Sequence, residues 1–302
     1  TGDDNDLGRK IFLTGGTGTL GKEIIKRFHK KWDIISYSRD ELKLSHLERE
    51  YPDVKFVIGD IKDYPALEHA MKGCHAIIHA AAMKRIEVCE MHPMEAIKTN
   101  ILGAHNVVMA ALKNGVTKAV VTGSDKGVEP VNAYGATKFL QEKIFSIYNF
   151  NSVRYGNVFG SRGSVAPLFV EQAKKGIALT VTHPEMTRFI LTIDDAVNLI
   201  LFALEQPMDG TVFVKKSPSV RLVDLASAFS DKVKFTGKTQ GEKLHESLIN
   251  PEEFTRIKEF TGGYMGITKT PSSIKYGERY SSDNERLLTV KEIKALAKKY
   301  LQ

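Results

Sequence analysis

The stretch K-I-F-L-T-G-G-T-G-T-L-G, Lys10–Gly21, decides the fold. It begins as an apolar run typical of a buried strand and passes directly into glycines with G-x-x-G-x-x-G spacing. Apolar residues at helical spacing follow. Such glycines allow a tight turn, close approach of the backbone to a pyrophosphate, and close packing of helix on strand. We therefore predict a dinucleotide site at the N-terminus of the helix, with contacts from Gly15, Thr17, Gly18, Thr19, Leu20 and Gly21.

Beyond this motif, predicted strands alternate with predicted helices as far as residue 155. The longest predicted helix is amphipathic and covers Glu95–Lys113. Strands that alternate with helices in this order are typical of a parallel, doubly wound α/β sheet of the Rossmann type, with helices on both faces.

The pattern changes after residue 155, where long polar loops separate shorter apolar segments. We therefore predict a cofactor-binding Rossmann domain over 9–155, which carries the catalytic residues, and a smaller C-terminal α/β substrate-binding part over 156–302. The helix at 193–205 and the strand at 212–214 are candidates to pack back on the Rossmann sheet. The polar, Asp-rich opening, Thr1–Gly8, is expected to be a frayed end.

The end of the second predicted strand bears on which dinucleotide is bound. A cofactor with a free 2′-hydroxyl usually meets an acid at this position. Here the chain carries Ser38 and Arg39, with Lys43 one turn further on. A hydroxyl and a guanidinium suit a 2′-phosphate, so the sequence favours NADP over NAD. Asp40 and Glu41 lie close enough to leave NAD open.

The third and fourth predicted strands lead to further cofactor contacts. Asp60 and Ile61 follow the third strand, where an acid can accept a hydrogen bond from the adenine amino group. The fourth strand leads to Ala80, Ala81 and Lys84, and the small residues there leave room for a flat ring or a ribose.

The catalytic candidates all follow the fifth predicted strand. They are Ser124, Asp125, Lys126, Tyr134 and Lys138. Tyr134 and Lys138 lie on a predicted helix, and residues i and i+4 share a helix face. A phenol ordinarily ionises near ~10, and an adjacent cation favours its ionised form. The pair is therefore predicted to act as a general base near neutral pH. Y-x-x-x-K alone is common on surfaces, and the upstream hydroxyl together with the glycine loop favours the catalytic interpretation.

Substrate-binding candidates come from polar stretches between apolar segments. The loop Arg154–Pro167 is too long to be a mere connector, and Gly241–Glu246 is a charged cluster in a predicted loop. Arg188 lies in a short polar stretch, and a guanidinium can bind a diphosphate with two hydrogen bonds. The candidates are Lys84, Thr99, Asn100, Asn157, Ser161, Arg162, Val165, Arg188, Glu242 and His245.

Composition excludes several classes of protein. The net charge of +7 comes from scattered Lys and Arg residues without a long basic run, so we expect no nucleic-acid partner. No apolar run reaches ~18 residues, so no membrane partner is expected. Cys74 and Cys89 match no disulfide framework or metal motif, so we expect no metal and a reducing, cytoplasmic location. His79 is expected to be a satisfied core histidine.

Taken together, these residues make the chain resemble the extended short-chain dehydrogenase/reductases. Within them it is most similar to the inverting, C5-epimerising UDP-N-acetylglucosamine 4,6-dehydratases. The motifs that carry the resemblance are S-R-D-E-L-K (Ser38–Lys43), H-A-A-A-M-K (His79–Lys84), K-T-N-I-x-G (Lys98–Gly103), S-D-K (Ser124–Lys126), N-A-Y-G-A-T-K (Asn132–Lys138), R-Y-G-N-V-x-x-S-R-G-S-V (Arg154–Val165), M-T-R-F (Met186–Phe189), G-E-K-L-H-E (Gly241–Glu246) and Y-S-S-D-N-E-R-L-L-T-V (Tyr280–Val290).

This resemblance implies a reaction on a UDP-sugar with tightly held NADP, which is regenerated in each cycle. The sugar is oxidised at C4, loses water across C5–C6, regains hydride at C6 and is reprotonated at C5 on the other face. By resemblance, Tyr134 removes the C4 hydroxyl proton and Lys138 lowers the pKa of Tyr134 and holds the nicotinamide ribose. Lys126 is assigned as the C5 base and Asp125 as the acid for the departing hydroxyl; the reverse assignment stays open. A homo-oligomer, dimer or hexamer, is also implied.

Two other functions stay open. A UDP-sugar 4-epimerase shares the fold and the Tyr134–Lys138 pair but needs no acid/base pair at C5 and C6. The presence of Asp125 and Lys126 therefore favours the dehydratase. A non-catalytic NADP-sensing protein would keep the glycine loop and lose the catalytic residues, whereas this chain retains Ser124 together with the tyrosine and the lysine.

Overall fold

The computed structural model describes residues 10–271 and 277–301, so the predicted frayed end Thr1–Gly8 lies outside the described residues. The strands in the described part of the chain are β1 Lys10–Thr14, β2 Asp33–Ser38, β3 Lys55–Ile58, β4 Ala76–His79, β5 Lys118–Thr122, β6 Asn151–Arg154, β7 Asn157–Val158, β8 Leu179–Val181, β9 Thr187–Leu191, β10 Val212–Lys215, β11 Ser219–Arg221, β12 Val233–Phe235, β13 Ser247–Ile249, β14 Ile257–Glu259, β15 Tyr264–Ile267 and β16 Tyr280–Ser281.

The α-helices are α1 Thr19–Phe28, α2 Glu41–Glu50, α3 Tyr64–Ala70, α4 Ile86–Met91, α5 Pro93–Ala96, α6 Gly103–Lys113, α7 Ala133–Ile147, α8 Val165–Lys174, α9 Ile193–Glu205, α10 Leu222–Ser227 and α11 Val290–Tyr300. A π-helical segment covers Ile97–Leu102, and short 3-10 turns cover Asp125–Gly127, Glu253–Arg256 and Thr261–Gly263. None of the helices described is long and apolar enough to cross a membrane.

The main sheet has nine strands in the order β14-β15-β10-β6-β5-β4-β1-β2-β3. From β10 to β3 all neighbours are parallel, and β15 and β14 add an antiparallel edge. The chain order of the strands reverses between β1 and β4, and ligands of open α/β sheets bind at the carboxyl ends of the strands beside such a switch point. The prediction of a doubly wound parallel sheet is confirmed.

Alternating side chains of the strands bury opposite faces of this sheet. Along β1, Ile11 and Leu13 join one apolar core with residues of α1 and α9, whereas Phe12 joins a second core with residues of α3, α6 and α7. Both faces of the parallel strands are therefore covered, which is why the strands read as nearly continuous apolar runs.

The later part of the chain contributes to the main sheet and also forms smaller ones. Helix α9 packs against α1, β5 and β6, and β10 lies between β6 and β15 in the main sheet. Two small sheets, β11-β9-β7 and β12-β8, contribute to a separate apolar core that includes Phe169, Leu225 and Ile293, whereas the sheet β13-β16 packs in another cluster with residues of β10 and β15.

The helix predicted over Glu95–Lys113 is helical without a break, but a π-helical segment interrupts its α-helical pattern. Pro93 starts the short helix α5, and the π-helical segment then separates α5 from α6. A π-helical turn contains one residue more than a regular pattern expects, so the helical periodicity of the apolar residues alone does not reveal it. In this segment Thr99 and Asn100 are buried.

Candidate active site

The carboxyl ends of the parallel strands bring the predicted site stretches to one edge of the sheet. The loops after β1, β4 and β6 touch there. The Arg162 N–H donates to the Thr19 hydroxyl at 3.3 Å, and the Lys84 ammonium donates to the Arg162 carbonyl at 2.9 Å. Three stretches far apart in sequence therefore form one wall of a common site.

The glycine loop fits a dinucleotide in its backbone geometry. Gly15 has φ +75, and a Cβ added there would lie 2.8 Å from the Ala81 nitrogen. A Cβ at Gly21 would lie 2.5 Å from the Gly15 carbonyl oxygen, so α1 packs too closely on the loop for a side chain. Gly18 occupies the N-cap of α1 and brings no side-chain cap, which leaves the N–H groups of the first turn for a phosphate.

Near the end of β2, Asp40 is engaged by Lys43, whereas the side chain of Arg39 is largely exposed. The Asp40 carboxylate caps α2 by accepting the Lys43 N–H at 3.0 Å, and it also pairs with the Lys43 ammonium. These hydrogen bonds from Lys43 lower the pKa of Asp40. Arg39 lies 3.6 Å from the Asp60 carboxylate, with 59% of its side chain exposed. The Ser38 hydroxyl is buried without a hydrogen-bond partner among the described residues.

The start of α7 places Tyr134 beside Ser124. The Asn132 side chain caps the helix by accepting the Gly135 N–H at 2.7 Å, so Tyr134 lies in the first turn. Burial raises the pKa of Tyr134 above its ordinary value, a hydrogen bond with the Ser124 hydroxyl acts in the opposite sense, and the Asp125 carboxylate raises the pKa further. That Lys138 lowers the pKa of Tyr134 stays a prediction.

A chain of buried polar side chains holds Lys138. Its ammonium donates to the Gln141 amide oxygen. The Gln141 amide contacts His79 Nε2 at 3.2 Å, and His79 Nδ1 lies 2.6 Å from the Thr14 hydroxyl. Burial lowers the pKa of Lys138 to about 7, and the nearby Glu142 carboxylate opposes the change.

The same chain shows His79 to be the satisfied core histidine that the sequence indicated. It is fully buried, and burial first, with a contribution from Lys138, lowers its pKa to about 3. The Thr14 hydroxyl also accepts the N–H groups of Ala80 and Ala81 at 3.1 and 3.2 Å. The lysine is thus linked through three side chains to the loop predicted to face the cofactor.

Asp125 and Lys126 form a buried ion pair in the turn after β5. Asp125 is fully buried, and its Oδ1 accepts from the Ser124 hydroxyl at 3.0 Å and from the Lys126 ammonium at 3.1 Å. Its Oδ2 has no hydrogen-bond partner in the part of the chain that the structure describes. Burial raises the pKa of Asp125, Lys126 opposes this, and the Glu246 carboxylate raises it further. The turn therefore holds a carboxyl group disposed to keep a proton.

The structure brings some of the predicted substrate residues to this pair and leaves others apart. Asn157 Oδ1 lies 3.4 Å from the Lys126 ammonium. Arg188, expected in a polar connecting stretch, is instead a buried residue of β9, because T-R-F-I-L forms a strand between β11 and β7. Its guanidinium donates to the Thr187 and Leu244 carbonyls at 2.7 and 3.1 Å. It is close enough to Asp125 to act on the pKa of that carboxyl.

Other predicted residues serve packing or line a neighbouring cavity. The Asn100 amide bonds both the Met83 backbone N–H and carbonyl and the Thr137 hydroxyl, so its hydrogen-bonding groups are already occupied. Glu242 and His245 line a cavity of about 880 Å³ together with Lys243. Ser161 and Val165 lie in the turn before α8 and at its first residue.

Sequence reasoning missed several buried charged residues. Glu246 is only 3% exposed, although the G-E-K-L-H-E run was interpreted as a loop of which Glu242 and His245 were the binding residues. Arg154 is fully buried in pairs with Glu142 and Glu253, with distances of 2.6 and 2.9 Å, and so ties β6 to α7 and to the turn Glu253–Arg256. The four-residue spacing between Lys138 and Glu142 was the one sequence signal for a buried carboxylate in this region.

Comparison with known proteins places this geometry in a family. Residues 11–268 match the family described as "Polysaccharide biosynthesis protein". A protein of Rickettsia canadensis named UDP-glucose 4-epimerase is 40% identical, over 95% of both chains, and one of Rickettsia prowazekii with the same name is 39% identical.

Solved structures agree. Pen from Bacillus thuringiensis superposes with a TM-score of 0.89 at 32% identity, over 96% of this chain and 97% of that one. DesIV from Streptomyces venezuelae, a dTDP-glucose 4,6-dehydratase, shares the fold with a TM-score of 0.72 at 20% identity, over 78% of this chain and 86% of that one. The chain therefore belongs to the polysaccharide biosynthesis proteins of the extended short-chain dehydrogenase/reductase family, which includes nucleotide-sugar epimerases and dehydratases.

Proposed function

We propose that the protein is an NADP-dependent UDP-N-acetylglucosamine 4,6-dehydratase that inverts C5. One observation carries this proposal. A fully buried carboxyl group, Asp125, and an ammonium, Lys126, lie together in the turn next to Tyr134. A reaction confined to C4 has no use for this costly pair, whereas elimination across C5–C6 needs both a base and an acid.

Oxidation at C4 is assigned to Tyr134, Lys138 and Ser124. Tyr134 takes the proton of the C4 hydroxyl, and Ser124 orients the phenol through its hydrogen bond. A nicotinamide held here by Lys138 would supply a hydride acceptor for C4 and the hydride that C6 regains. Lys138 holds the nicotinamide ribose and, with a pKa of about 7, changes its charge in the physiological range.

Elimination is assigned to Lys126 and Asp125. The new 4-keto group acidifies C5–H. Lys126, once it has lost its own proton and become a neutral amine, takes the C5 proton, while Asp125 gives its proton to the departing 6-hydroxyl, which leaves as water. The raised pKa of Asp125 supports its assignment as the acid, because it favours a carboxyl group that still carries a proton. Reprotonation at C5 from the other face yields UDP-2-acetamido-2,6-dideoxy-β-L-arabino-hex-4-ulose.

NADP is the proposed cofactor because of the groups at the end of β2. Asp40 is already used as a helix cap and as the partner of Lys43, so it is not free for a ribose hydroxyl. Ser38 offers a hydroxyl without a partner among the described residues, and Arg39 offers an exposed guanidinium. Release of the bound nucleotide by denaturation, with its identification by mass, tests this choice. An Arg39→Ala protein should lose affinity for NADP and keep its affinity for NAD.

The proposed substrate is a UDP-sugar, held by the part of the chain from 156 to 302. Relatives from Rickettsia are named UDP-glucose 4-epimerase, and an epimerase structure from Thermotoga maritima contains UDP-glucose. Arg188 lies beside the buried pair, and Glu242 and His245 line the cavity into which the nucleotide of such a substrate would extend. A homo-oligomer is part of the proposal, to be measured as the mass in solution.

Proton NMR and mass spectrometry of the reaction in D₂O test the function. With UDP-N-acetylglucosamine we expect loss of water, a new methyl group at C6 and deuterium at C5, with couplings of the L-arabino ring. A product of unchanged mass with only C4 inverted would instead establish the second candidate, a UDP-sugar 4-epimerase. The names of the relatives that are about 40% identical favour that second candidate, and the buried Asp125–Lys126 pair favours the first.

A further inference from the structure

Glu246 has no role in the chemistry just described, yet its backbone is fixed at the site. Its N–H donates to the Ser282 hydroxyl at 3.0 Å, and its carbonyl accepts the Ser282 N–H at 2.8 Å. The next residues form β13, which pairs with β16. The later part of the chain thus holds this side chain rigidly against the turn after β5.

The carboxylate of Glu246 lies between two ammonium groups. One oxygen is 3.1 Å from Lys243 Nζ, and the other is 3.8 Å from Lys126 Nζ. Lys243 also donates to the Val128 carbonyl at 2.6 Å, so Lys243 is anchored independently of Glu246. Lys126 is in turn placed between two carboxylates, Asp125 at 3.1 Å and Glu246 at 3.8 Å.

A merely structural ion pair would not require this arrangement. A buried carboxylate must be paired to be tolerated, and Lys243 alone supplies a close partner for Glu246. Burial acts to raise the pKa of Glu246, but Lys126, Arg188 and Lys243 together hold it below the ordinary value. The two carboxylates next to Lys126 therefore differ: Asp125 tends to keep a proton, and Glu246 stays ionised.

We propose that Glu246 is a positioning residue for the C5–C6 elimination, holding the Lys126 side chain in place and stabilising the ammonium that forms as Lys126 takes the C5 proton. The inference rests on the proposed dehydratase function. In the elimination the C5 proton goes to Lys126, the Asp125 proton leaves with the hydroxyl as water, and the C5–H electron pair forms the C5–C6 double bond. A fixed carboxylate beside the developing positive charge lowers the barrier without reorganisation.

The test separates the two halves of the reaction in Glu246→Gln, which keeps the shape of the side chain and removes its charge. Two rates are followed in D₂O after mixing with UDP-N-acetylglucosamine: reduction of the bound nicotinamide, and deuterium entry at C5 together with loss of water. We expect the second rate to fall about 100-fold, the cost of a misplaced catalytic group. The first rate should stay within about 3-fold, because Tyr134 and Lys138 are unchanged.

Two further variants complete the test. Glu252→Gln, an exposed carboxylate six residues further on, should leave both rates unchanged. Glu246→Asp keeps the charge on a shorter side chain and should restore at least part of the C5 rate, which also covers the case that Glu246→Gln does not fold. Equal loss of both rates, or no loss of the C5 rate, would overturn the role of Glu246 and leave the dehydratase proposal standing. A wild-type protein that inverts C4 without deuterium entry at C5 would overturn the dehydratase proposal and this inference with it.

Discussion

The two lysines of the site, Lys126 and Lys138, lie in opposite electrostatic surroundings. Lys126 stands between the carboxyl groups of Asp125 and Glu246. Lys138 is 3% exposed, and its ammonium donates to the neutral amide of Gln141, at the end of a chain of uncharged side chains. The protein thus stabilises the ammonium form of Lys126 and destabilises the ammonium form of Lys138.

Each side of the site is therefore built for its own proton transfer. Around Lys138 the protein disfavours the ammonium, so the charge of this lysine responds to pH and to bound charge. Around Lys126 the protein provides negative groups that favour a positive charge when it develops.

The largest effect is expected from Tyr134→Phe, which disables the Lys138 side. Since oxidation at C4 precedes every later step, nicotinamide reduction, C5 exchange and product formation should all fall about 10⁴-fold. Stopped-flow absorbance and NMR of the same samples measure these rates. Retention of C5 exchange in this variant would show that the two sides do not act in sequence.

Asp125→Asn should disable the Lys126 side alone. Water loss is expected to fall about 10³-fold because the departing hydroxyl has no acid, while nicotinamide reduction continues at a similar rate. Single-turnover experiments that follow the oxidised sugar by mass spectrometry measure the two steps separately. If reduction of the nicotinamide stops as well, the division of labour between the two lysines is wrong.

Lys138→Met and Lys126→Met should change stability in opposite directions. The folded-state pKa of Lys138, about 7, lies below its ordinary value of 10.5, so at pH 7 the folded chain disfavours a charge that the unfolded chain carries. Lys138→Met should therefore raise the free energy of unfolding by about 2 kcal/mol. Lys126→Met, which removes the close ammonium partner of the buried Asp125, should lower it by about 2 kcal/mol. Urea denaturation of the cofactor-free proteins measures both.

The pH dependence checks the sign of the Lys138 effect. Between pH 7 and pH 10.5 the unfolded chain binds more protons than the folded one, so the wild type gains stability as the pH rises. The difference in the free energy of unfolding between Lys138→Met and the wild type should therefore shrink over this interval. A constant difference across it would mean that Lys138 is charged in the folded protein.

The smallest effect is expected from Gln141→Glu, which gives Lys138 a carboxylate neighbour like those of Lys126. The pKa of Lys138 should rise by about 1 or more, since a close opposite charge favours the ammonium. NMR titration of lysine labelled with ¹³C at Cε measures this directly, with Gln141→Met as the uncharged control. An unchanged pKa in Gln141→Glu would contradict the close Lys138–Gln141 contact.

Local sequence signals were enough to predict the fold and the strand-end residues. The glycine loop at 15–21 defines a strand–turn–helix unit by its backbone requirements, and alternating apolar segments then imply a parallel sheet. Parallel strands place all their carboxyl ends on one edge, so the meeting of Thr19, Lys84 and Arg162 follows from the topology.

The partners of the catalytic residues were not predictable in the same way. Glu246 meets Lys126, and Glu253 meets Arg154, only through pairings between segments about 100 residues apart. No local pattern marks such pairs. The effect of burial on the pKa of Tyr134 was not predictable, because helical spacing places Lys138 on the same face and gives no information on burial or on the amide of Gln141.

The π-helical segment Ile97–Leu102 amounts to one surplus residue in an otherwise regular helix. Removal of a single residue there would let the backbone hydrogen bonds close in the ordinary α pattern, so the sheet and its cores need not be disturbed. The residues that follow would turn by about 100° relative to α5. Asn100 would then lose its hold on the Met83 backbone and Thr137, and the loop after β4 would separate from α7. The one additional residue in the chain thus keeps the active-site loop attached to the helix that carries Tyr134.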